Sequence, residues 1–111
     1  MKPQFFDTDA VDQKRFNAGR AYLEFLRVPA MSAGVYVIPR GGNDPQKPHH
    51  ENEFYYVVRG RARMTAGPDT RAVSAGSIIF VPAEVEHRFH DIEEELAVLV
   101  VFAPAETEGP K

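Results

Sequence analysis

Two histidines and one glutamate of this chain lie beside strongly apolar segments, where their side chains could meet at one metal ion. His49 and Glu53 frame the start of an apolar run over residues 53–58, and His87 follows a second run over residues 77–81. Two neutral imidazoles with one carboxylate form the ligand set of non-haem Fe(II) sites, and Mn and Zn accept similar ligands. The chain has no cysteine, so nitrogen and oxygen would have to hold any metal. We therefore predict a divalent transition metal (Fe, Mn, Zn or Ni) on His49, Glu53 and His87.

Strand geometry predicts which side chains accompany this set, because alternate residues of a strand face the same side. If Glu53 faces inward, Tyr55 shares its side. His49 has the same parity and His50 the opposite one, so His50 reaches the site only if the turn at Pro48 rotates it. The other face of the strand carries Phe54, Tyr56 and Val58.

Parity also supports three further assignments. Glu51 has the parity of Glu53 and is predicted as a fourth metal ligand, with a solvent-facing carboxylate as the alternative. Glu53 and Tyr55 are the predicted catalytic residues. The Tyr55 hydroxyl could orient a substrate or a bound water, the alternative being a core tyrosine. In the later strand His87 and Phe89 share one face.

The first segment resembles the first motif of the cupin superfamily. That motif has a His-x-His pair, then a Glu three or four residues on, then six residues and a Gly. His49, Glu53 and Gly60 keep this spacing. Lys47 stands where the first His of the pair is expected.

The second segment resembles the second cupin motif. Gly76, Pro82 and His87 keep its spacing, whereas Glu84 replaces an inner Gly and Asp91 a later Asn. The resemblance runs from about residue 47 to 91 and implies an all-β fold, a single jelly-roll barrel. It implies little about activity, because the fold hosts many functions.

The rest of the sequence also predicts an all-β domain, since short segments rich in Val, Ile, Phe and Tyr alternate with Gly, Pro and Asp. We expect an N-terminal arm over residues 1–19 with a short helical turn over 9–19, a barrel over 20–106 and a tail over 107–111. The predicted strands cover residues 21–28, 32–38, 53–58, 61–65, 71–74, 77–81 and 96–102. The run 53–58 is apolar on both faces and is predicted inside the sheet, 77–81 is predicted as a buried strand, and 91–95 as an acidic turn.

The composition limits the classes of partner that we expect for this chain. A length of 111 residues fits one domain, and a net charge of −3 with a pI near 5.8 offers no basic surface for nucleic acid. No apolar run approaches the roughly 20 residues that span a bilayer. The N-terminal residues lack the pattern of a secretory signal, so we expect a cytoplasmic protein without membrane partners.

Two classes of function agree with these observations. One is a metal-dependent enzyme that acts on a small polar molecule, by dioxygenase-type chemistry or by redox-neutral isomerisation or elimination. The other is a non-catalytic module that binds or senses a small molecule, for which Lys47 and Glu84 argue as departures from the motifs. We also expect a homodimer, because the outer apolar face of the strand 53–58, with Phe5 and Phe6, exceeds what one small barrel needs to bury.

Overall fold

A computed structural model describes residues 1–107 of the chain. Its elements are α1 (Thr8–Asn17), β1 (Tyr22–Val28), β2 (Met31–Ile38), β3 (Asn52–Ala66), β4 (Asp69–Ser74), β5 (Ile78–Val81) and β6 (His87–Ala103). Every strand pair is antiparallel. The strand order is β1-β2-β6-β3-β4, and β5 pairs with β3. The all-β prediction is confirmed. The predicted tail lies outside the described residues from residue 108 onward.

Two groups of buried side chains hold the sheet together. The main core lies on one side and includes Tyr55, Val57, Phe89 and Phe102. A smaller group on the other side joins β2, β6 and the helix through Val11, Val35, Val37 and Ala97. Because β2 is covered on both sides, seven of its eight residues are buried and its sequence is almost continuously apolar.

The helix α1 lies within the predicted arm. Val11 is its one buried residue among those described, and it packs against Val35 and Val37. Asp12 on its surface pairs with Arg15 and with Arg59 of β3, which ties the helix to the sheet. Among the described residues, no helix has the length and apolar character needed to cross a membrane.

The predicted strands 53–58 and 61–65 are one strand, β3, which passes through Gly60 without leaving the sheet. Gly60 has φ +98°, a left-handed conformation that side chains rarely adopt, and the register with β6 shifts on both sides of it. A Cβ there would collide with the carbonyl oxygen of Glu95 on β6. The bulge thus lies where the backbones of β3 and β6 leave no room for a side chain.

The prediction of an acidic turn over residues 91–95 was wrong, because this segment is part of β6. Asp91 has φ +50°, so the chain bends there but stays paired with β3. Arg61 pairs with Glu94 and Arg59 with Glu95 across the two strands. Opposite charges on neighbouring strands therefore offset the repulsion that a run of acidic residues suggests.

The prediction that 77–81 is a buried strand was also wrong. β5 covers β3 on one side, as the pairs Phe54↔Phe80 and Tyr56↔Ile78 show, but only Val81 of its residues is buried. The four paired side chains are 40 to 62% exposed. We call Phe54, Tyr56, Ile78 and Phe80 the outer apolar patch. As predicted, β3 itself is not an edge strand, since β5 and β6 flank it.

Candidate metal centre

The structure brings His49, Glu53 and His87 together at one end of the main core. One ligand atom from each lies within 4.8 Å of the others, and all three residues are buried. The Nε2 atom of His87 is 2.8 Å from Oε1 of Glu53, and Nε2 of His49 is 3.7 Å from the same oxygen. His49 comes from the loop before β3, Glu53 from the start of β3 and His87 from the first residue of β6. The pairing of β3 with β5 and β6 sets their spacing.

The orientation of His87 is fixed by the turn that precedes it. Its Nδ1 atom lies 2.9 Å from the carbonyl oxygen of Val85 and donates its proton there, because a carbonyl oxygen only accepts. The opposite nitrogen, Nε2, then faces Glu53. Histidines that bind metals commonly give their second N–H to a carbonyl or a carboxylate in this way.

A second carboxylate, Glu106, faces the other side of His49. Its Oε2 lies 3.4 Å from Nδ1 of His49, and the residue is buried. Glu106 is held by its own backbone, since its N–H donates to Oγ of Ser32 and its carbonyl accepts from Arg27. Oε2 of Glu106 thus lies beside Nδ1 of His49, whereas Nε2 of the same ring lies toward Glu53. Sequence reasoning missed Glu106, because it follows β6 in a segment without a recognisable motif.

A hydrogen-bonded chain closes the site on the side of the loop before β3. The Nε2 group of Gln46 donates to Oδ2 of Asp44 at 2.7 Å, and the Tyr55 hydroxyl donates to Oε1 of Gln46 at 3.0 Å. The same oxygen lies 3.3 Å from Nε2 of His49. Burial first, and then the Glu53 carboxylate, raise the pKa of the Tyr55 hydroxyl well above its usual value. Tyr55 therefore stays protonated and acts as a hydrogen-bond donor.

The structure does not bring the other predicted residues into this group. Glu51 is buried, but its Oε2 accepts hydrogen bonds from the backbone N–H and the hydroxyl of Thr107. His50 is exposed and pairs with Glu84 on the surface. The role of Glu51 as a fourth ligand stays a prediction, and the geometry gives it a different partner.

The turn between β5 and β6 joins the two halves of the site. The backbone N–H of Glu84 donates to the carbonyl of His49 at 2.7 Å. Glu84 has φ +68°, the left-handed conformation that glycine adopts most easily. Glu84 stands where the second motif has its inner Gly. At this position the left-handed backbone conformation therefore matters more than the chemistry of the side chain.

The donor set fits a divalent metal ion. Two imidazole Nε2 atoms and a carboxylate oxygen converge. Nδ1 of His87 donates to the carbonyl oxygen of Val85, and Nδ1 of His49 lies 3.4 Å from the Glu106 carboxylate. Acceptor atoms packed this closely in a buried site favour a cation or a proton between them. His49, Glu53 and His87 would hold the ion, and Val85 and Glu106 would orient the two rings.

A cavity of about 350 Å³ lies beside the cluster. His87 and Gln46 form part of its wall, and the remaining lining residues are Lys47, Pro48, Thr65, Gly67, Glu86 and Arg88. Its size suits a small organic molecule. The cavity thus adjoins the candidate metal centre at His87 and Gln46.

Comparison with known proteins gives consistent results. The sequence model of the family described as Cupin_2, cupin domain, matches residues 34–103. The uncharacterized protein SCO3923 of Streptomyces coelicolor is 48% identical over 102 residues, which cover 92% of this chain and 97% of that protein. Polyketide synthase CurC of Streptomyces cyaneus is 28% identical over 105 residues, covering 90% and 68% respectively. The crystal structure of TT1209 from Thermus thermophilus superposes with a TM-score of 0.75 at 22% identity, covering 93% of this chain and 99% of that one.

Proposed function

Because the chain belongs to the cupin family, whose domains are small jelly-roll barrels, we propose that it is a metal-dependent enzyme acting on a small, oxygen-bearing organic molecule. The observation that carries the proposal is the convergence of one ligand atom each from His49, Glu53 and His87 in a buried site. Three protein ligands leave coordination positions for water and substrate. A bound divalent metal would supply Lewis-acid polarisation of substrate oxygens or a redox centre.

The side chains around the cluster have distinct tasks in this proposal. Glu53 contributes the negative charge that attracts the cation. Tyr55 keeps its proton and donates a hydrogen bond to Oε1 of Gln46, a residue that lines the cavity. The apolar residues of the main core exclude water from the same region, which strengthens each of these polar interactions.

The cavity indicates the chemistry of the substrate. Lys47 and Arg88 line it together with a single acidic residue, Glu86. Two cations against one carboxylate favour a molecule with a carboxylate, an enolate or a phenolate. The relative CurC is named a polyketide synthase, so oxygen-rich molecules of the polyketide class are the first substrates to screen.

Activity should depend on the metal rather than on a side-chain nucleophile. We expect turnover to vanish after chelation and to return with one preferred metal, because the described site holds no serine or cysteine in a position to attack. Oxygen consumption in step with substrate would assign dioxygenase-type chemistry, and equal turnover without oxygen would assign isomerisation or elimination. Full activity of metal-free protein would contradict the proposal. Tight binding of the same molecules without turnover would support the binding module instead.

We also propose that two copies pair through the outer apolar patch. Its side chains are exposed and adjacent across β3 and β5, and an apolar surface of this kind marks a partner site. Phe5 is exposed as well, and Phe6 packs on Phe25. Sedimentation at micromolar concentration should show a species of twice 12.4 kDa, and Phe80→Glu should convert it to the monomer. Monomer alone in the unmodified protein would contradict the pairing.

A further inference from the structure

We propose that the side-chain oxygen of Gln46 is the fourth protein ligand of the metal centre. This inference rests on the metal binding proposed above. In the motif that the chain resembles, a histidine is expected at position 47, but Lys47 lines the cavity instead of joining the cluster. The neighbouring Gln46 directs Oε1 to the cluster, where it accepts a hydrogen bond from Nε2 of His49 at 3.3 Å. A metal held by both atoms would take the place of the proton between them.

The direction of the Gln46 amide is dictated by Asp44. Asp44 is buried, and its carboxylate accepts hydrogen bonds from the Tyr36 hydroxyl, the backbone N–H of Phe89 and Nε2 of Gln46. An ionised carboxylate only accepts, so the NH₂ end of the amide must face Asp44. The oxygen end then necessarily faces His49 and Tyr55.

The distances in the cluster bracket the spacing expected around a shared ion. Neighbouring ligand atoms about 2.1 Å from one metal lie roughly 3 to 3.5 Å apart. The separation of Gln46 Oε1 from His49 Nε2 is 3.3 Å, and those of Glu53 Oε1 from the two imidazoles are 2.8 and 3.7 Å. Gln46 Oε1 therefore lies as close to its neighbour in the cluster as the three predicted ligands lie to theirs.

An amide oxygen changes what the centre can do. It is a neutral, hard donor, so it retains the charge of the set His49, Glu53 and His87 while favouring metals that accept oxygen. Gln46 also lines the cavity, so this ligand would stand between the metal and an incoming molecule. Four protein ligands would leave two positions of an octahedral ion for water or substrate.

Titration with Co²⁺ tests the assignment, because its visible absorption reports ligand number and geometry. The dissociation constant is measured by competition with a chelator in the unmodified protein and in Gln46→Leu. We expect the variant to bind Co²⁺ about ten- to a hundredfold more weakly and with a changed absorption spectrum. Gln46→Asn withdraws the amide oxygen while it keeps a polar side chain, and it should show the same change if the leucine variant does not fold.

Lys47→Leu is the matched control, since it changes the adjacent residue at the motif position itself; it should not weaken Co²⁺ binding and should leave the spectrum unchanged. If the unmodified protein bound no metal, the proposed function would fail together with this inference. If it bound Co²⁺ and the Gln46 variants matched it in affinity or in spectrum, the inference alone would be overturned. An equal loss in Lys47→Leu would overturn it too, since the effect would then belong to the loop and not to the amide.

Discussion

Replacing His87 with alanine is expected to abolish tight metal binding and the thermal stabilisation that comes with it. His87 provides one of three donors, and its loss leaves Glu53 with one imidazole neighbour in a buried site. A metal at about 100 times its dissociation constant adds roughly 2.7 kcal/mol to the free energy of unfolding. For a domain near 100 residues this is a shift of about ten degrees in Tm. Elemental analysis and paired melts with and without metal measure both effects.

His50→Ala is the control for this result. His50 is adjacent to His49 in sequence, but its side chain is exposed and pairs with Glu84 on the surface. The control should keep about one metal per chain and the full thermal shift. Equal metal content in the unmodified protein and in His87→Ala would show that the cluster is not the binding site.

The second large effect is expected from Gly60→Ala. The substitution forces a side chain into a left-handed backbone at φ +98° and drives its Cβ into the carbonyl of Glu95, with the Cα of Leu96 only 2.7 Å away. Both obstacles are backbone atoms of β6 and cannot rotate aside. We expect the free energy of unfolding to fall by about 4 kcal/mol or more, which urea denaturation would measure.

Gly76→Ala separates the cost of the left-handed backbone from the cost of the collision with β6. Gly76 has nearly the same φ, +94°, but a Cβ there would meet no atom within 4 Å. It should therefore lose only the conformational part, about 1 to 3 kcal/mol. If both variants lost the same amount, the contact between β3 and β6 at Gly60 would not matter.

The sequence was sufficient to predict the three clustered donors, because short-range patterns in the chain determine their positions. Glu53 and Tyr55 lie within a strand, where alternation determines which side chains point inward, and the spacing to Gly60 and from Gly76 to His87 placed the remaining parts. The family assignment followed from the same spacing.

Strand alternation and motif spacing could not predict the other residues of the site. β3 begins at Asn52, so strand alternation does not determine where the residues before it point, Glu51 among them. Gln46 lies in an irregular loop, and its direction depends on Asp44, which is tied to Tyr36 and Phe89. Glu106 reaches His49 only after β6 has paired with β2 and β3. These contacts join parts of the chain that are distant in sequence. The alternation of side chains along one strand does not predict such contacts.

The long pairing of β3 with β6 also has a kinetic consequence. Asn52 pairs with Ala103 and Ala66 with His87, so the chain must close large loops before most of this ladder can form. Proteins dominated by such distant pairs fold slowly, in roughly milliseconds to seconds, because the entropy of loop closure is lost before the contacts form. His49 and His87 meet only once that ladder is complete. A ligand that needs both should therefore act late on the folding pathway, slowing the rate of unfolding and leaving the rate of folding nearly unchanged.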